Sequence, residues 1–99
     1  MGEKEIFIGF SNGFGKVDVE SLKEYVETHD VEKIYIFVRK EPLEKIKKEC
    51  IEAVKVDVEF NVTLNPVKEA KRLKKSLKGK KVVVQDLEDF GKRALRDVC

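Results

Sequence analysis

Between Glu5 and Val98 the chain alternates four short apolar runs with four amphipathic stretches. Ile6-Phe7-Ile8-Gly9-Phe10 is continuously apolar, the pattern of a strand covered on both faces. Ser11-Asn12-Gly13-Phe14-Gly15-Lys16 follows as a loop. Asp18 then stands where a cap is needed, before a helix whose inner stripe is Val19, Leu22, Tyr25 and Val26. Ile34-Tyr35-Ile36-Phe37-Val38 repeats the buried-strand pattern. After it, Pro42 sits where a helix can begin, and Leu43, Ile46, Cys50 and Ala53 recur at helical spacing.

The third run has a different period. Val54, Val56, Val58, Phe60, Val62 and Leu64 alternate with Lys55, Asp57, Glu59, Asn61 and Thr63. One apolar and one polar face predict a strand with a wet side, at the edge of a sheet. Asn65 and Pro66 open a third helix as cap and first helical residue, Val67, Ala70, Leu73 and Leu77 face inward, and Gly79 ends it. Val82-Val83-Val84 forms a fourth strand. Asp86 and Asp89 suit the start of a last helix with Leu87, Phe90, Ala94, Leu95 and Val98 inside.

Strand and helix thus alternate four times, with short connections and neither repeat nor linker. The expectation is one α/β domain over residues 1–99, Rossmann-like and three-layered, with four mainly parallel strands joined by right-handed crossovers. Of the two common orders, 2-1-3-4 would bury the charged face of the third strand under a helix. Order 3-2-1-4 leaves that strand at an edge, and the alternation selects it.

Ninety-nine residues, 41% of them hydrophobic, suffice for one core. The charged fraction of 40% is far above the usual quarter, and the excess is Lys and Glu. Proteins from hot environments carry this bias, so a thermophilic source is expected. No stretch approaches the roughly 18 apolar residues of a membrane span, and Met1–Glu5 is no signal peptide, which predicts a soluble cytoplasmic protein. A Met1-Gly2 opening followed by Ile6 lacks the hydroxyl that myristoylation needs. Cys50 and Cys99 have no ligand spacing. Cys50 reads as a core residue, with a disulfide to Cys99 the less expected alternative. His29, the single histidine, suits a helix C-terminus, and neither a metal nor a cofactor is expected.

A net charge of +2 conceals an asymmetry: residues 1–66 hold 10 basic and 14 acidic side chains, residues 67–99 hold 11 and 5. In an open α/β sheet, ligands gather beyond the carboxyl ends of the strands, where the strand order reverses. For 3-2-1-4 that point lies between strands one and four. Ser11, Asn12, Gly13, Gly15 and Lys16 of the first loop, Arg39 and Lys40 after the second strand, and Gln85 after the fourth are the ligand-binding candidates. Glycines, small polar side chains, a lysine and a helix N-terminus suit an anion, either a nucleotide or nucleic acid. The loop is not a Walker A motif, because Phe10 replaces its first glycine and Val17 its magnesium-binding hydroxyl. An ordinary strand-to-helix turn would use the same glycines.

Lys68, Lys71, Arg72, Lys74, Lys75, Lys78, Lys80 and Lys81 surround a single acid, Glu69. Of these, Lys71, Arg72, Lys74, Lys75 and Lys78 are the candidates for nucleic-acid binding, against the alternative of an ordinary solvated lysine face. No aromatic residues interleave with them for base stacking. The enzymatic alternative is a metal-dependent nuclease or phosphotransfer protein using Asp86, or Asp57 and Glu59, although Asn61 stands where a nuclease lysine belongs. Edge protection explains the same charges. A third alternative is a non-catalytic module whose third strand pairs with another copy. A homodimer suits so small a core.

The strand closing in Gly9-Phe10-Ser11-Asn12-Gly13, its helix and the strand Ile34–Val38 resemble the front half of the Rossmann-like sensor domains of CRISPR-associated proteins. That resemblance implies a dimer binding a cyclic oligoadenylate. The second Gly-rich segment of those domains has no counterpart in Lys80–Asp89.

Overall fold

The computed structural model describes residues 4–87. Along them run β1 (Glu5–Ser11), α1 (Lys16–Thr28), β2 (Val31–Val38), α2 (Glu44–Val54), β3 (Asp57–Val62), α3 (Pro66–Ser76) and β4 (Lys81–Asp86). Every strand pair is parallel and the order is β3-β2-β1-β4, so β3 is an edge strand as its alternation requires. Asp89, the inner face expected at Phe90, Ala94, Leu95 and Val98, and any Cys99 disulfide lie outside the described residues.

Strand side chains alternate between the two faces of the sheet, and each face has its own core. On one, Phe7, Ile34, Ile36 and Val38 pack with Val19 and Leu22 of α1 and with Cys50 and Val54 of α2. On the other, Ile6, Ile8 and Phe37 pack with Ala70 of α3 and its half-buried Leu73 and Leu77. The result is a three-layer α/β fold. Covered on both sides, β1 and β2 need the continuous apolar runs that their sequences supply.

Gly9 lies at the tightest point of β1. A Cβ there would come within 2.8 Å of Leu87 Cδ2 and 2.9 Å of its Cγ. Leu87 is fully buried, so it has little freedom to move aside.

Several element ends differ from the sequence reading. Gly15, not Asp18, caps α1. Asp18 is the third helical residue, and its carboxylate accepts a 2.8 Å hydrogen bond from the Gly15 N–H, near the positive end of the helix. Leu43 is the cap of α2 and is 72% exposed, not part of its inner stripe. Val54 belongs to α2, which ends on Lys55 in the left-handed region at φ 56°. Val62 and Leu64, at the outer end of the alternation, are exposed, whereas Val58 and Phe60 pack against the α1–α2 core. Val67 is exposed too.

The amino-terminal end of the sheet is closed by side chains. Glu5 is 3% exposed; its carboxylate accepts a hydrogen bond from the Tyr25 hydroxyl and lies 3.7 Å from Lys81 Nζ. The His29 ring stacks on Tyr25 at 4.0 Å, and the His29 N–H donates to the Tyr25 carbonyl as α1 ends. Histidine is thus a terminating residue of the helix.

Cys50 is fully buried between α1 and α2. Burial pushes its thiol up to about 12, with the negative charge of Asp18 adding to the effect. In a Cys99→Ser background, native protein at mildly alkaline pH should therefore not react with a disulfide reagent such as DTNB. The expected signal is one thiol released only across the urea transition. Rapid stoichiometric reaction of the folded protein would contradict this packing.

Candidate functional site

Chain direction sets up a crevice where the strand order reverses. From the carboxyl end of β1 the chain passes to α1 on one face, while α3 approaches β4 across the other. A cleft of about 120 Å³ opens at this point. Phe10 and Ser11 come to it from β1, Asn12 from the following loop, Arg39 from the end of β2, and Asp86 from the end of β4. The start of α3, Asn65 to Val67, completes the wall.

Local hydrogen bonds hold these groups in place. The buried Ser11 hydroxyl donates to the Gly13 carbonyl at 2.7 Å and accepts from the Gly13 N–H at 3.3 Å, which pins the loop as it leaves β1. Asn65 Oδ1 accepts from the Lys68 N–H at 3.2 Å, and Pro66 occupies the first helical position of α3. The positive end of that helix therefore borders the cleft. Arg39 is exposed and forms no ion pair with any described residue. Asp86 lies opposite Phe10 in the parallel register and brings a carboxylate to the same wall.

The cleft thus offers a guanidinium, an amide side chain, a helix start and one carboxylate. Arg39 and the start of α3 place positive charge on one part of the wall, and Asp86 places a carboxylate on another. The volume is well below the roughly 300 Å³ at which pockets for whole small molecules begin. It suits a phosphate-sized group whose remainder lies outside.

Four sequence candidates meet here: Ser11, Asn12, Arg39 and Asp86. Gly13, Gly15, Lys16, Lys40 and Gln85 do not line the cleft. Phe14 explains the position of the loop residues. It is buried in the α1–α2 core and packs edge-on against Phe60 at 5.3 Å, which draws Gly15 and Lys16 toward that face while the cleft opens beside α3. Gln85 alternates to the opposite sheet face from Asp86. Asn65, Pro66 and Val67 are lining residues that the sequence showed only as a helix start.

Lys71, Arg72, Lys74 and Lys75 are exposed on α3 and Lys78 in the turn that follows it, with Glu69 3.8 Å from Arg72. Asp57 and Glu59 lie on β3, where Lys33 Nζ reaches them at 3.4 and 3.9 Å. Three strand spacings, about 14 Å, separate β3 from β4, too far for these acids to share one ion with Asp86. Among the described residues no group of three or more His, Cys, Asp or Glu could hold a metal.

A second groove, of about 240 Å³, lies at the opposite end of the sheet beside Lys4, Lys80 and Lys81. Lys80 pairs with Glu32 at 4.0 Å and Lys81 with Glu5 at 3.7 Å, so its positive charge is largely balanced. No helix among the described residues is long and apolar enough to cross a membrane. The chain matches no family model, and no curated protein or solved structure is significantly similar to it.

Proposed function

We propose that this chain binds a phosphate-bearing anion, part of a nucleotide or nucleic acid, in the cleft between the carboxyl ends of β1 and β4. One observation carries the reading: an Arg39 guanidinium with no ion-pair partner among the described residues converges with Asn12 and the first turn of α3 at the point where strand order reverses. A guanidinium fork matches two phosphate oxygens at once, and a helix start adds partial positive charge. Asp86 disfavours a bare phosphate and favours a ligand with a hydroxyl donor beside its anion, as in a sugar phosphate.

The test is thermal unfolding with inorganic phosphate, ribose 5-phosphate and nucleoside monophosphates, each at millimolar concentration. Ribose 5-phosphate and the nucleotides should raise the melting temperature saturably and more than phosphate does. At a hundredfold excess over Kd the gain corresponds to about 2.7 kcal/mol. A flat response across the series would remove the proposal.

The Asp86 carboxylate also favours a second reading, metal-assisted phosphoryl transfer in the same cleft. It requires magnesium- or manganese-dependent turnover of a phosphodiester that Asp86→Asn abolishes.

A further inference from the structure

Beside α3 lies a larger concavity, of about 460 Å³, between the helix and the outer half of the sheet. It exists because α3 packs chiefly on β1, β2 and β4, leaving the wet face of β3 largely uncovered. Tyr35 and Phe37 of β2 line it, with Glu59 and Asn61 directly opposite them on β3. Arg72 and Ser76 of α3 line the other side.

We propose that this shelf holds one base of a single-stranded nucleic acid whose phosphates run over the lysine face of α3. The inference rests on the anion-binding reading above and names its ligand class. An aromatic ring in a cavity of this size matches what single-strand binders use, since every base has a π-face to stack. Asn61 Nδ2 donates to Glu59 at 3.2 Å and Ser76 Oγ to the Leu73 carbonyl at 2.9 Å, so the edge presents acceptor oxygens, and Glu59 can accept from an exocyclic amine such as that of cytosine. Glu59, with Lys33 at 3.9 Å, and Glu69, with Arg72 at 3.8 Å, leave the shelf near neutral, whereas Lys68, Lys71 and Lys75 outside it have no ion-pair partner among the described residues. The charges therefore assign the base to the interior and the backbone to the outside.

Helical spacing joins the two surfaces. Glu69, Arg72 and Ser76 recur at i, i+3 and i+7 along the shelf, and Lys68, Lys71 and Lys75 form the neighbouring solvent-facing row. Arg72 stands four residues after Lys68 and three before Lys75, so it bridges shelf and lysine row. Lys33 Nζ lies 4.7 Å from the Tyr35 ring centroid and is anchored by Asp57 and Glu59. That cation lies over one face of the ring, so a base stacks on the other. A base can reach Tyr35 only when unpaired, which is why a single strand and not a duplex is the ligand.

The decisive measurement is fluorescence anisotropy at low salt, with labelled cytosine oligonucleotides and abasic strands of the same length and charge. Removing the bases should weaken binding to wild type about tenfold, the scale of one stacked base. Tyr35→Ala should abolish that difference between the two strands. Equal affinity for the two strands, a difference that survives Tyr35→Ala, or no binding of either strand would overturn the inference.

The anion reading is judged separately. If the abasic strand still binds and Arg39→Ala weakens it, the cleft stands even though the shelf falls. Sedimentation supplies the remaining check. A wild-type dimer that Tyr35→Glu converts to monomer would show a second copy of the chain covering the shelf, and would also overturn the inference.

Discussion

Gly9→Val is expected to lower the unfolding free energy by about 3 kcal/mol, the upper end of overpacking costs. The reason is direct. Even the first carbon of a side chain would meet Leu87 at 2.8 to 3.0 Å, and Leu87 is fully buried. Leu87→Ala alone should cost roughly 2–5 kcal/mol through the cavity it leaves.

The two defects are complementary, so a Gly9→Val, Leu87→Ala double variant should lose at least about 1 kcal/mol less than the sum of its parts. Urea midpoints at constant m value give all three quantities. Strict additivity would mean that the Leu87 side chain does not lie over Gly9. The contact lies next to the cleft, since Gly9 precedes Phe10 and Ser11 while Leu87 follows Asp86. If the proposed ligand binds there, the same variants should weaken its binding.

Arg39→Ala should reduce affinity for ribose 5-phosphate by between about tenfold and a hundredfold, the range expected for hydrogen bonds to a charged partner. Arg39→Lys should recover only part of this, because an ammonium is a point charge and cannot hold two oxygens in a planar fork. Lys40→Ala, one residue further and outside the cleft lining, should change affinity by less than twofold. Because Arg39 is exposed, stability without ligand should stay within about 0.5 kcal/mol of wild type. Calorimetric titration with matched unfolding curves separates the two effects. An Arg39→Ala protein that binds as well as wild type would leave the cleft without its principal anion contact.

Local periodicity carried much of this architecture. The unbroken runs through Ile6–Phe10 and Ile34–Val38 require cover on both faces, and only the two central strands of the sheet receive it. Val58 and Phe60 alternate with Glu59 and Asn61, which only a strand with one open face tolerates. The order β3-β2-β1-β4 was therefore legible before any coordinates. With that order comes the position of the crevice, and Ser11, Asn12, Arg39 and Asp86 follow from it.

Other features depend on contacts between distant parts of the chain. Asn65-Pro66 marks a helix start in any protein, but a capping signal does not say what the helix faces. Gly13-Phe14-Gly15-Lys16 has suitable chemistry for an anion, yet the burial of Phe14 against Phe60 turns it toward the other layer. Tyr35 and Arg72 belong to separate elements, and no window along the sequence brings the aromatic shelf beside the lysine helix.

The sequence by itself determined the four strands, the first three helices and the edge position of β3, because hydrophobic periodicity is a property of neighbouring residues. Only the tertiary structure decided which loop residues reach the cleft and that an aromatic shelf lies open beside α3. Both depend on how the layers pack, which is settled by contacts between segments far apart in the chain.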